Sequence, residues 1–282
     1  MITIYSSPFE GYPMILENLL EFGKPVSSRA GGTLEIENFV CTFLTTTNAI
    51  PPRRPGFSPL LGLMEGAQLI GEFSRPRLMD KTWPKVAEYT DHWGDYGARA
   101  ERGEQVQNVI KTLTESPDSR RAMIVLWDPV RDNDPGHQDY PCTIAINFRI
   151  RDHKLNMTVT MRSNDIWRGA SSDFIQFSLL HLTVAAALNI EPGTYTHQAH
   201  SMHLYDTDRD VAQAWWTEVQ ENGKKDYGIS LSPLAENGWT YNEIKSEAAY
   251  SLSSADYTRS TMGRKIQDLL MDRRRKMEGF DE

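Results

Sequence analysis

One stretch constrains this chain more than any other. It runs from Asp139-Tyr140-Pro141-Cys142-Thr143 to Arg162-Ser163-Asn164-Asp165-Ile166-Trp167-Arg168-Gly169-Ala170-Ser171-Ser172-Asp173. Between those motifs Ile144, Ile146, Phe148 and Ile150 alternate, then Leu155, Met157, Val159 and Met161 alternate, and Arg151-Asp152-His153-Lys154 forms a polar break. The spacing predicts a β-hairpin. A hairpin returns its two outer ends to one place, so Cys142 and Arg162 are expected as neighbours, and a guanidinium beside a thiol favours the nucleophilic thiolate.

Each piece also has a plainer reading. Cysteine is among the most buried residue types, so Cys142 alone reads equally as core packing. Asp173 directly precedes the apolar run that begins at Phe174, and Asp in that place is a common helix N-cap.

The chain has 282 residues, 39% of them hydrophobic, enough to bury a substantial core. No linker or charge block divides it, so a single domain over residues 1–282 is expected. The formal net charge of -8 argues against a nucleic-acid-coating surface and leaves a small anion as the partner for local arginines. No run approaches the ~18 apolar residues of a membrane span, and the first thirty residues lack a basic segment followed by an apolar one, so a cytoplasmic protein is expected. Cys41 and Cys142 are its two cysteines and read as reduced.

The first thirty residues read as irregular to weakly helical, up to Arg29-Ala30-Gly31-Gly32. A strand is predicted through Leu34, Ile36, Phe39 and Phe43. Ser58-Pro59 opens a helix to about residue 72 that carries Glu65 among apolar neighbours, either on the solvent face or in a site. Trp83, Tyr89, Trp93 and Tyr96, with Gly94 and Gly97 between them, suggest a wall for a flat ring or simply core. A helix is predicted over 101–115, then Arg120-Arg121 lead into the strand 122–127, where they meet either an anion or surface carboxylates. The run Phe174 to Leu188 reads as a helix buried all round. His197, His200 and His203 raise a metal site, but the Thr and Tyr around them favour a strand on which His200 faces away from the other two. His203 and Tyr205 share a face and offer hydrogen bonds to a hydroxyl. A helix follows around 211–219, then a polar stretch over 222–260, and 264–277 reads as a basic helix.

Taken together these motifs resemble the thymidylate synthase and deoxycytidylate hydroxymethylase family, in the family's order and near its spacing, from about Arg29 to Trp216, with 222–282 divergent. The resemblance implies an α+β fold: a large twisted mixed sheet with helices on one face and a second subunit packed on the other. It implies Cys142 as nucleophile, Glu65 and Tyr96 as the catalytic pair, and Arg162 and Ser163 with Arg29 as the phosphate clamp. By the same resemblance Arg120 and Arg121 reach the partner subunit's phosphate. Trp83, Asp165 and Gly169 fall to the folate, and His203 and Tyr205 to the sugar. The co-substrate implied is 5,10-methylenetetrahydrofolate, with no metal, and the partners are a pyrimidine nucleoside monophosphate and a second copy of the chain. A cysteine hydrolase lacks a convincing base partner in this pattern, and a non-catalytic nucleotide binder is at odds with the presence of both Cys142 and Glu65.

Two positions select the branch. Thymidylate synthases usually place His after the nucleophile and Asn where Asp173 stands; here Thr143 and Asp173 match the hydroxymethylases. A protonated carboxyl donates to N3 of cytosine and accepts from its 4-amino group, whereas uracil's donor and acceptor suit an amide. The reaction implied is dCMP with methylenetetrahydrofolate and water giving 5-hydroxymethyl-dCMP. CMP as substrate, hydride in place of water, and dUMP as substrate stay open. The segment 150–165 looks particularly like the phage hydroxymethylases, which implies action in a host cytoplasm.

Overall fold

The computed structural model describes residues 3–71, 93–133, 136–137 and 139–231. The readings for Trp83, Tyr89 and the segment beyond 231, its basic helix included, lie outside those residues.

The first described residues form β1 (Thr3–Tyr5) and a full helix, α1 (Pro8–Phe22), more regular than the irregular to weakly helical segment expected from sequence. The signals are local. Ser7 is extended and its hydroxyl accepts from the Glu10 N–H at 3.4 Å, Pro8 takes the first helical position, and Tyr12, Ile15, Leu16 and Leu19 recur at helical spacing and are fully buried. β2 (Lys24–Ser28) and β3 (Gly31–Phe43) form a hairpin, and α2 spans Pro59–Gly71. A short helix α3 (Tyr96–Glu101) precedes the helix expected over 101–115, which begins later, as α4 (Gln105–Glu115), because Glu104 adopts the left-handed conformation at φ 50 and interrupts the turn.

β4 (Met123–Val125), β5 (Thr143–Arg151) and β6 (Lys154–Met161) follow. The hairpin between β5 and β6 pairs Thr143 with Met161 and Arg151 with Lys154. Its two turn residues, Asp152 and His153, both have positive φ, 51 and 59, the twist a two-residue hairpin turn requires. β7 (Asn164–Asp165) leads to α5 (Ala170–Ala187), then β8 (Glu191–Tyr205) and α6 (Asp206–Asn222). The strands form a sheet in the order β1-β3-β8-β6-β5-β4, with β2 paired to β3 and β7 to β8. β1 pairs β3 and β6 pairs β8 in parallel, and β3–β8, β5–β6 and β4–β5 are antiparallel, so the fold is a mixed α+β one with six helices among the described residues.

One sheet face carries the core. Phe43 packs its ring at 5.1 Å from Phe174 of α5 and 5.4 Å from Tyr195 of β8, while Tyr12 of α1 meets Trp215 of α6 at 5.7 Å. Helix α5 is buried on every side from Ala170 to Ala186, and it begins four residues earlier than the apolar run suggests. On α2, Gly62 and Gly66 let the two helices touch: a Cβ at Gly62 would lie 2.9 Å from the Ser172 carbonyl oxygen, and one at Gly66 would lie 3.1 Å from the Gln176 Cα. The opposite face is uncharged across its centre. Val40, Gln198, Thr160 and Ala145 form one row and Thr42, Thr196, Thr158 and Asn147 the next, all half-buried. Thr42 and Thr196 hydrogen-bond at 3.0 Å, and the Thr160 hydroxyl donates to Gln198 at 3.3 Å.

Candidate active site

The hairpin delivers what its spacing promised in geometry and less than it promised in charge. The Arg162 N–H donates to the Cys142 carbonyl at 2.8 Å. The Arg162 guanidinium then folds back over the segment before β5, donating to the Pro141 carbonyl at 3.1 Å and the Tyr140 carbonyl at 3.2 Å, and stands 3.7 Å from Cys142 Sγ. Burial nevertheless pushes the Cys142 thiol up to about 11; Arg162 pulls it down, and Asp173, Asp139 and Asp165 oppose Arg162. The expected resting thiolate is thus corrected to a thiol, because desolvation outweighs a single exposed guanidinium. Cys41, fully buried on β3, has its thiol pushed far higher by burial alone, with only one hydrogen bond to the His197 backbone opposing it. Both cysteines are free.

Thr143, the residue after Cys142, binds Tyr96. Its N–H donates to the phenol oxygen at 3.0 Å and its hydroxyl donates at 2.9 Å, so the phenol proton is free to point elsewhere. Burial holds the Tyr96 phenol well above its usual range, with Cys142 and Asp173 adding to the effect. Tyr96 is fixed by its helix: Asp95 caps α3 and also accepts from Gln68 of α2, while Arg99 forms a buried ion pair with Asp132 at 2.6 Å and donates to the Trp93 carbonyl at 2.7 Å. Trp93, read from sequence as a wall for a ring or as core, is an anchor of this assembly, stacked on His137 at 3.5 Å and donating to Asp132 at 2.8 Å. Glu65 lies half-buried on α2, the helix that Gly62 and Gly66 press against α5.

Asp173 is not a cap. Gly169 is the N-cap of α5, and the Asp173 N–H makes an ordinary helical bond to the Gly169 carbonyl at 3.1 Å. Its side chain is buried, and each oxygen accepts an amide: Asn164 Nδ2 donates to Oδ2 at 2.6 Å and Gln176 Nε2 to Oδ1 at 2.7 Å. Burial pushes the carboxyl up to about 7 against these two donors, with Asp165 raising it further. Behind Asn164 stands His197, with Nε2 at 3.0 Å from Asn164 Oδ1 and Nδ1 at 2.8 Å from the Tyr195 hydroxyl. Asn164 and Gln176 have no assigned role in the sequence reading, and His197 has only the metal site weighed there; a polar residue in the otherwise apolar face of α5 or β8 is the signal that points to Gln176 and His197.

Asp165 accepts at Oδ1 from the Trp167 N–H at 2.8 Å and the Arg168 N–H at 3.0 Å, and burial pushes its carboxyl up. Oδ2 is buried with no hydrogen-bond partner among the described residues, and the Arg168 guanidinium stands 3.9 Å from it as an ion pair. A buried acceptor left open in this way fits the ring N–H and amino donors of a pterin. Asp165 sits beside His203 in register, and the His203 and Tyr205 rings meet edge-on at 5.2 Å. Gly169 keeps an ordinary backbone conformation, and a Cβ there would meet Asp173 Oδ2 at a normal 3.5 Å. Ser163 is half-buried after Arg162.

The other arginines singled out from the sequence are exposed. Arg29 is exposed in the turn between β2 and β3. Arg120 and Arg121 are exposed ahead of β4. Extending the β4–β5 register sets Arg121 opposite Arg149, seven residues along β5 from Cys142 and so about 23 Å away. No helix among the described residues is long and apolar enough to cross a membrane.

Comparison with known proteins agrees with this geometry. Residues 80–230 match the family model described as Thymidylate synthase. The chain is 31% identical over 158 residues to a deoxyuridylate hydroxymethyltransferase of Pseudomonas phage M6, covering 53% of this chain and 45% of that protein. It is 31% identical over 130 residues to the protein of that name from Bacillus phage SP01, covering 45% of this chain and 32% of the other. A protein of Methanocaldococcus jannaschii named "Putative thymidylate synthase" is 30% identical over 190 residues, 66% of this chain and 82% of that protein. The chain thus spans less than half the length of either phage relative.

Proposed function

Since this chain belongs to the thymidylate synthase family, we propose that it transfers a one-carbon unit to C5 of a cytidine monophosphate nucleotide, dCMP, with water completing a 5-hydroxymethyl product. The observation that carries the choice of base is the double acceptance at Asp173. Two amide donors leave both carboxylate oxygens as acceptors, and a base edge with two donors, cytosine sharing a proton at N3 beside its amino group, matches them. Uracil offers one donor and one acceptor.

In this reading the Cys142 sulfur adds to C6 of the base and its proton leaves through the Tyr96 and Glu65 side of the pocket. The proton shared between Asp173 and N3 stays with N3 as charge builds on the ring. Glu65 and Tyr96 take the proton from C5. Methylenetetrahydrofolate supplies the one-carbon group to C5 at the oxidation level of formaldehyde, with Asp165 holding the pterin beside Gly169 and Trp83. Tetrahydrofolate departs as the C5 proton is lost, water adds to the exocyclic methylene, and the C6–S bond breaks to release the Cys142 sulfur and restore the base. His203 and Tyr205 bind the sugar hydroxyl, and Arg29, Arg162 and Ser163 the 5'-phosphate. Arg120 and Arg121, too far along the sheet to serve their own Cys142, serve the phosphate of a partner subunit docked on the uncharged sheet face.

The choice of water over hydride is supported by the two phage relatives, whose names are those of hydroxymethyltransferases. Those names also favour a second reading, hydroxymethylation of deoxyuridylate. It requires a neutral Asp173 that donates to O4 and accepts from N3–H. Incubating the protein with methylenetetrahydrofolate and C5-tritiated dCMP, CMP or dUMP, with products read by mass spectrometry, decides between them. Hydroxymethyl-dCMP as main product supports the first reading; preferential turnover of dUMP overturns it.

A further inference from the structure

His197 is a buried titratable side chain that no step above uses. It stands on β8 directly behind the base-reading carboxyl, its ring 5.0 Å from Phe174 and edge-on to it. Its two nitrogens are both engaged, and their chemistry gives the contacts a direction. Burial drives the imidazole pKa down to about 3, so the ring is neutral and carries one proton. Asn164 gives its amide nitrogen to Asp173 and turns its amide oxygen, an acceptor, to Nε2, so Nδ1 is left to accept from the Tyr195 hydroxyl. That leaves the ring proton on Nε2, donated to Asn164 Oδ1 at 3.0 Å. With its oxygen so occupied, the Asn164 amide has one orientation, nitrogen toward Asp173 Oδ2. Every link therefore runs the same way, from Tyr195 through His197 and Asn164 to Asp173.

We infer that His197 is a positioning residue for base selection: by fixing the tautomer-dependent orientation of the Asn164 amide it keeps Asp173 an acceptor at both oxygens, and so tuned to cytosine. This rests on the proposed reading of Asp173 as the residue that meets the base. Without the His197 donor, the Asn164 amide is free to turn its oxygen to Asp173. Two acceptors then face each other, the carboxyl is forced to hold its own proton to bridge them, and its match to a two-donor edge is lost. The groups that face Asp173 besides these are Cys142 ahead of β5, Tyr96 on α3, Asp165 on β7 and Gln176 on α5, and all stay in place in a His197 variant.

The test has an arm that needs no activity. In the full chain labelled with 15N-histidine, the nitrogen shifts of His197, assigned through His197→Gln, should show the neutral Nε2–H tautomer; an Nδ1–H tautomer or a charged ring overturns the inference. With 13C-labelled aspartate, assigned through Asp173→Asn, the Asp173 carboxyl should titrate about one pH unit or more higher in His197→Phe than in the parent. His197→Gln, which restores an amide donor at similar reach, should bring it back. An unchanged titration in a folded His197→Phe chain overturns the proposal. Should His197→Phe not fold, the same comparison in Tyr195→Phe, which removes the partner of Nδ1, decides it in its place. In the kinetic arm, the dCMP to dUMP ratio of kcat/KM should fall about tenfold in His197→Phe and recover in His197→Gln. If the parent chain turns over neither nucleotide the functional reading fails, while the tautomer and the titration still decide the role of His197.

Discussion

Asn164 aims its amide nitrogen at Asp173 Oδ2 across 2.6 Å, so a strand of two residues and the first turn of the central helix are tied at the Asp173 carboxyl. Asn164 is itself held by His197 from the next strand. The carboxyl thus belongs to three elements at once, and its protonation state is a property of their packing.

The first prediction concerns that carboxyl as reader. Asp173→Asn should move the dCMP to dUMP ratio of kcat/KM toward uridylate by roughly tenfold to a hundredfold, since a mismatched buried polar pair costs about 1 to 3 kcal/mol. Competition between the two labelled nucleotides measures it. A mutant that keeps its cytosine preference assigns base reading to other residues.

The same substitution should change stability in a pH-dependent way. The folded-state value of Asp173 is raised to about 7 from 3.8, so the native state retains a proton that the unfolded state gives up above about pH 4. Stability from this group is therefore complete below about pH 4 and is lost as pH rises to 7, a cost of up to about 4 kcal/mol at pH 8. Asp173→Asn should raise the urea midpoint at pH 8 and leave it nearly unchanged at pH 4. An equal shift at both values would show that the carboxyl is not held neutral by burial.

Cys142→Ser should lower C5 tritium release by about four orders of magnitude or more while nucleotide binding, read by calorimetry, persists. Cys41→Ala should retain turnover, because Cys41 sits on β3 away from Arg162.

Alkylation should report the resting thiol. Since the Cys142 value is raised to about 11, iodoacetamide incorporation should climb close to tenfold per pH unit from 7 to 10. Arg162→Met, which removes the one opposing cation, should slow it. A rate already flat above pH 7 would mean that the thiolate is preformed.

The arginine pair gives a prediction about assembly. A chain carrying Arg121→Ala, mixed with one carrying Cys142→Ser, should recover part of the activity each lacks, because a mixed dimer contains one site free of both lesions. Subunits shown to exchange that fail to complement would return the arginines to their own site.

The parts of this molecule legible in the sequence are those set by local period and turn chemistry. The alternation on β5 and β6 and the Ser58-Pro59 start of α2 are found where the pattern puts them. The seam from β3 through β8 to β6 was less legible because its pairs, such as Cys41 with His197, lie over 150 residues apart. Helix α1 reads only weakly although Ser7-Pro8 announces it, and α5 begins before its apolar run because Ser171 and Ser172 look like loop residues, whereas Ser172 is buried against α2 and Ser171 accepts from Arg54. In the site, residue types suggested which groups matter, but charge states did not follow from neighbours. Proximity to Arg162 argued for a thiolate at Cys142, and the depth of burial, which no spacing encodes, reverses it.

The contact between α2 and α5 at Gly62 and Gly66 has one more consequence. Two helices that meet backbone to backbone have no side chain left to trim, so the gap between Glu65 on one and Asp173 on the other is a fixed gauge. A lineage that enlarges its substrate has to find the room in the loops at the pocket mouth. Any residue larger than glycine at either position would push α2 away from α5, separating Glu65 from Asp173 while both side chains stayed present.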